Sequence, residues 1–122
     1  MPAAQDATVY RLEDLEQDYP REGIERRRIE GDRFMLLDIR LKKGAVVPMH
    51  AHENEQMTTV ISGLLRFTIG QGDEVRVETL GPGQVLHLPS NFIHGAQVLE
   101  DTVVYDVFSP VSETIGVDQI DD

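Results

Sequence analysis

The chain has 122 residues, no cysteine and a formal net charge of -11, from 22 acidic against 11 basic residues. That length suits one domain around a single hydrophobic core, and the missing cysteines exclude disulfides, thiolate metal sites and thiol redox switches. The acid excess argues against nucleic acid, which demands a basic stripe. Met1 to Asp6 lack the basic start and apolar run of a signal peptide, and no later stretch is apolar enough to span a bilayer, so the expectation is a cytoplasmic protein with no membrane partner.

Residues 1–22 read as an acidic leader with one helical turn around Leu12 to Leu15, ended by Pro20. From residue 23 to 110 the segments are short, rich in Val, Ile, Leu, Phe and Thr, and punctuated by Gly or Pro, the pattern of an all-β domain. The basic run Arg26-Arg27-Arg28 reads as the solvated end of a strand. In Phe34 to Leu41, Met35, Leu37, Ile39 and Leu41 form an apolar face opposite Asp38 and Arg40. Leu65, Phe67 and Ile69 repeat that alternation, with Arg66 on the opposite face. Gly70-Gln71-Gly72-Asp73 signals a hairpin into Glu74 to Leu80, where Val75 and Val77 alternate with Arg76 and Glu78. Gly81-Pro82-Gly83 fits a type II turn with Gly83 at the φ > 0 position. Strands follow at Gln84 to Leu88, Phe92 to Val98 and Thr102 to Phe108. So many short antiparallel strands close most economically as a jelly-roll barrel. Residues 111–122 form an acidic tail, expected to be loosely held or to pack on a partner subunit.

The chemistry concentrates in His50, His52, Gln56 and His94. His50 and His52 stand at i, i+2, which in a strand puts both imidazoles on one face. Gln56 follows the polar turn Glu53-Asn54-Glu55, and His94 from another segment closes a half-shell around one divalent ion. An amide ligand in place of a carboxylate leaves the ion its full formal charge, favouring chelating, anionic oxygen ligands. Asp106 sits on a strand apolar on both faces, so its carboxylate is expected to be buried and either paired or acting as a general acid/base. Phe108 shares its face. Arg66 is a candidate carboxylate ligand if its face lines the pocket, and His87 matches no ligand position.

Gly44, His50-x-His52, Gln56 and Gly63 stand at the spacings of the first cupin motif, with Gln56 where Glu is usual. Gly83, Pro89 and His94 match the second, in which Asn91 replaces a Gly and Val98 an Asn. The chain thus resembles the cupin superfamily, which implies the double-stranded β-helix or jelly-roll barrel. Further runs, among them Pro89-Ser90-Asn91 and Asp106-Val107-Phe108-Ser109-Pro110, are similar to the pectin-degradation cupins, which open 4,5-unsaturated uronates to the linear keto form. That resemblance implies metal ligation by His50, His52, Gln56 and His94, with Asp106 and Phe108 facing the substrate. It also implies a homodimer. One departure stands out: an Arg usual just after the Ser-Pro run is here Ser112, which removes a cation for a uronate carboxylate.

The expected function is therefore metal-dependent Lewis-acid and acid/base chemistry on a small anionic sugar acid, with Asp106 moving a proton and Phe108 and Arg66 against the substrate. Ni, Zn, Mn or Fe would each serve. Two other readings use the same site: a small dioxygenase with a redox-active metal, and a metal-containing ligand-binding module without turnover.

Overall fold

The computed structural model describes residues 6–115 and residue 118. Ten strands lie among the described residues: β1 (Asp18–Arg21), β2 (Ile24–Glu30), β3 (Met35–Leu41), β4 (Val46–His50), β5 (Glu55–Ser62), β6 (Leu65–Ile69), β7 (Arg76–Leu80), β8 (Val85–Leu88), β9 (His94–Val98) and β10 (Thr102–Ser109). They pair antiparallel in two sheets, ordered β1-β2-β3-β10-β5-β8 and β4-β9-β6-β7. This is the jelly roll that the alternation called for. The two inner faces enclose a core of Ile24, Leu41, Val60, Leu65, Phe67, Ile69 and their neighbours, with a second group of Met35, Leu37, Phe108 and Ile115.

Turn residues set the strand connections. Gly83 has φ +86° and the Gln84 N–H donates to the Gly81 carbonyl at 3.1 Å, the type II geometry expected there. Gly63 has φ +97°, and a Cβ built on it would fall 2.6 Å from Thr102 Cα. Gly63→Ala is therefore expected to cost about 3 kcal/mol or more, through left-handed backbone strain plus overpacking of the β5–β6 turn on β10. Urea unfolding reads this directly, and an unchanged midpoint would contradict the close approach.

Several expectations are corrected. Pro20 does not end a helix; Leu12–Asp14 is a single 3₁₀ turn, and Pro20 lies within β1, an edge strand where a missing N–H is tolerated. The barrel thus begins inside residues 1–22. Its other end is also extended, since Ile115 is 1% exposed and packs on Met35, Leu37 and Phe108 of its own chain rather than hanging loose. The basic run is not solvated: Arg26 is 4% exposed, because β2 turns it inward with Ile24. Its guanidinium is held by Asp18 (2.7 Å) and Asp118 (2.9 Å). Asp38, on the supposed polar face of β3, is buried beneath Arg27 and Arg40. Val75, in the turn before β7, and Val77 on β7, an edge strand, are both exposed.

Candidate metal centre

The site is built at one end of the barrel by strand ends from both sheets. His50 at the end of β4 pairs in register with His94 at the start of β9. The β4–β5 loop brings His52 back beside them, and Gln56 enters on β5. One ring nitrogen from each of His50, His52 and His94 lies within 4.8 Å of the others. His52 and His94 are buried, as is Gln56.

The hydrogen bonds fix which nitrogens face inward. Each Nδ1 donates to a backbone carbonyl: His50 to Pro48 at 2.9 Å, His52 to Asn54 at 2.9 Å and His94 to Phe92 at 2.8 Å. A neutral imidazole has one proton, so all three Nε2 atoms turn bare lone pairs toward one another. Gln56 completes the pattern. Its Nε2 donates to Thr58 Oγ1 at 2.8 Å, which turns Oε1 toward His52 Nε2 at 3.0 Å. With His52 Nδ1–H already committed to Asn54, that contact places two acceptors face to face with no proton between them. Such a contact is repulsive unless a cation lies close by, and histidine metal ligands usually have their other ring nitrogen bonded to a carbonyl in this way. The donor set therefore fits a divalent ion held by His50, His52, His94 and Gln56. Protonation of His94 does not compete at neutral pH, because burial pushes it down to about 4, reinforced by His50 and His52 and opposed by its bond to Phe92. Burial likewise lowers His50.

Below the histidines lies a cavity lined by Gln56, Thr58, Asp106 and Phe108 among apolar side chains. Asp106 faces inward on β10 with Val104 and Phe108 and is 6% exposed. Its carboxyl bonds the Thr58 hydroxyl and is pushed up to about 7 by burial, which that bond opposes. Oδ1 is buried with no partner. Gln56, Thr58 and Asp106 thus form one hydrogen-bonded line from the metal ligands to a free carboxyl oxygen. Phe108 meets His52 edge-on at 5.5 Å between centroids.

Arg66 is not part of the site. It is exposed on the outer face of β6, because Leu65 and Phe67 take the inner one. His87 stands outside too, paired with Glu55 at 2.6 Å on the surface. At Ser112, where a cation was missed, Oγ donates to the Thr114 carbonyl at 2.8 Å. Three contributors escaped the sequence reading. Thr58 aims the Gln56 amide, Asn54 receives His52 while its Nδ2 donates to the Pro110 carbonyl at 2.5 Å, and Arg26 lines the cavity. The alternation of buried residues along β5 was a signal for Thr58; nothing local distinguished Arg26.

Comparison with known proteins agrees with this geometry. The cupin domain family matches residues 37–108, more than half of the chain. The chain is a cupin. Among solved structures, this cupin is similar to KdgF from Halomonas sp., at 26% identity and TM-score 0.79, covering 88% of this chain and 97% of that one. An RmlC-like cupin from Shewanella frigidimarina NCIMB 400 superposes with TM-score 0.79 at 24% identity, over 91% of this chain and 97% of that one, and shows the shared fold. A curated relative is nitrosourea synthase of Streptomyces achromogenes subsp. streptozoticus, 27% identical over 88 residues, 72% of this chain. The match spans only 17% of that protein's length. Together these place the chain among small cupins resembling KdgF, with a histidine group suited to a metal ion. Among the described residues no helix is long and apolar enough to cross a membrane.

Proposed function

We propose that this cupin is a metal-dependent enzyme that isomerises a small oxygen-rich acid, with ring opening of a 4,5-unsaturated uronate as its reaction. The observation that carries this reading is the half-neutral, unpartnered carboxyl of Asp106 in the cavity shared with His50, Gln56 and His94. A divalent ion bound there supplies Lewis acidity toward a carboxylate and an adjacent oxygen. Everything else falls to the protein. In the isomerisation the ring C–O bond breaks at the hemiacetal carbon, whose hydroxyl gives up its proton and becomes the aldehyde oxygen, while the enol oxygen becomes a ketone and a proton arrives at the former alkene carbon. Asp106, about half protonated at neutral pH, donates its proton there from Oδ1, while Thr58 steadies the other end of the carboxyl. Phe108, edge-on to His52, walls the cavity beside the substrate. The likeness to KdgF and the pectin-degradation motifs support the choice of substrate.

The test is a proton NMR time course of the metal-loaded protein with freshly generated 4,5-unsaturated galacturonate. Loss of the vinyl signal is expected to run at least about 100-fold faster than with Asp106→Asn, the range of a general acid. No acceleration over buffer, with metal bound, overturns the uronate assignment and moves attention to oxygen uptake and to ligand binding without turnover.

The proposal includes a cytoplasmic homodimer. The outer face of the six-stranded sheet exposes Met57, Ile61, Val85 and Val107, and Met57 and Val107 are paired neighbours, an apolar patch of the kind that marks interfaces. Sedimentation at micromolar concentration is expected to give a dimer that Met57→Glu dissociates; a monomeric wild type refutes it.

A further inference from the structure

The interior of the site is poor in groups that a polar ligand could use. Its cavity holds about 80 Å³, room for roughly five to eight water-sized groups. Leu37, Ile39, Val47, Leu65, Phe67 and Val104 wall it. Of the polar side chains on the lining, nearly all are committed. The histidines turn only bare Nε2 atoms inward, and the Gln56 amide N–H serves Thr58. Arg26 is the one cation among the described lining residues, and it is neutralised by Asp18 and Asp118 through four bonds of 2.7 to 3.1 Å. What is left is Asp106 Oδ1. A ligand carboxylate therefore finds its charge partner at the histidine-held ion and nowhere deeper. Any hydroxyl carried below it, beyond one that meets Asp106, is buried without a partner, at a cost of roughly tenfold in affinity each.

Ile115 closes this cavity from outside the barrel strands. It is 1% exposed, lines the cavity and is clasped on both sides. Its N–H donates to Asp118 Oδ2 at 3.2 Å while that carboxylate grips Arg26, and Arg28 donates to the Glu113 carbonyl at 2.9 Å. We propose that Ile115 is a specificity-determining residue, and that the ligand is a small acid with chelating oxygens at the histidines and a short hydrocarbon edge directed inward against Ile115. The inference rests on the reading that the bound ion chelates an acid. For an unsaturated uronate it selects one orientation: the alkene edge enters and the hydroxylated carbons stay at the mouth.

The experiment uses the full chain loaded with Co(II), whose visible bands report chelation independently of turnover. Lactate, 2-hydroxybutanoate, 2-hydroxypentanoate and 2-hydroxyhexanoate are titrated into wild type, Ile115→Ala and the milder Ile115→Val, with glycerate as the lactate analogue bearing one more hydroxyl. In the wild type, lactate binds about tenfold tighter than glycerate, and affinity rises by up to about fourfold per methylene until the chain meets Ile115. Ile115→Ala moves that limit to a longer acid and favours 2-hydroxyhexanoate by about tenfold over wild type, with Ile115→Val between them. Circular dichroism and cobalt stoichiometry confirm that each variant is folded and loaded. Equal binding of glycerate and lactate, or one chain-length limit in all folded proteins, overturns the proposal. Absence of any band shift with every acid in the wild type removes the chelation reading itself, and the inference with it.

Discussion

His94→Ala is expected to lower divalent-metal affinity by at least about 100-fold, beyond the usual effect of removing a group that only supports a ligand. His94 and His50 face each other across β4 and β9, so losing one ring opens a quarter of the donor set and leaves His50 and His52 without a closing partner. Calorimetric titration with zinc or nickel reads the affinity. Thermal unfolding gives a second readout, because metal at 100-fold excess over its dissociation constant stabilises the folded state by about 2.7 kcal/mol. That increment disappears in His94→Ala at the same metal concentration. An affinity within a few fold of wild type would show that the three Nε2 lone pairs do not share an ion. Acid acts in the same direction. His94 is depressed to about 4 in the folded protein against its ordinary value of 6.5, so the unfolded chain takes up that proton first. The metal-free protein therefore loses stability as pH falls from about 6.5 toward 4.

Asp106→Asn is expected to reduce turnover of an accepted substrate by about 10²- to 10⁴-fold, the contribution of a positioned general acid, while metal affinity changes by less than about threefold because the carboxyl is not a ligand. An asparagine keeps the size of the side chain and its contact with Thr58 but has no titratable proton to give. Stability moves the other way. Burial raises the folded-state value to about 7 from 3.8, so the wild-type carboxyl costs nothing below 3.8 and increasingly destabilises the metal-free fold as pH rises toward 7. Above that value Asp106→Asn is more stable than wild type by up to about 4 kcal/mol, and the gap closes as pH is lowered to about 4. Urea melts of the two metal-free proteins across this range check the sign. A variant that keeps full turnover would show that Asp106 is not the proton donor.

The candidate ligand set was legible in the sequence because most of its geometry is local. Two histidines at i, i+2 share a strand face whatever the rest of the chain does, and Gln56 is one turn further on. His94 lies far along the chain, but the family spacing carried it. The burial of Asp106 followed from a strand apolar on both faces, an argument that needs no knowledge of which side points in. Where a side chain's role depended on which side faced the core, single-strand patterns failed. Arg66 alternates correctly, yet only the closure of β6 onto the opposite sheet shows that its face is the outer one. Arg26, Arg27 and Arg28 look like any exposed basic run, and Asp118 is 92 residues away from Arg26, beyond any local pattern.

The sequence by itself determined the all-β jelly roll, the Gly81–Gly83 turn and the three histidines that could hold a metal ion, because period-two alternation, glycine φ preferences and donor chemistry act over a few residues. Tertiary structure alone decided three things. It set the Gln56–Thr58–Asp106 line, which needs β5 and β10 in one register. It committed Arg26 to two carboxylates. It also folded the segment after β10 back so that Ile115 seals the cavity. Each depends on contacts between distant segments, where burying apolar surface outweighs the local preferences that the sequence displays.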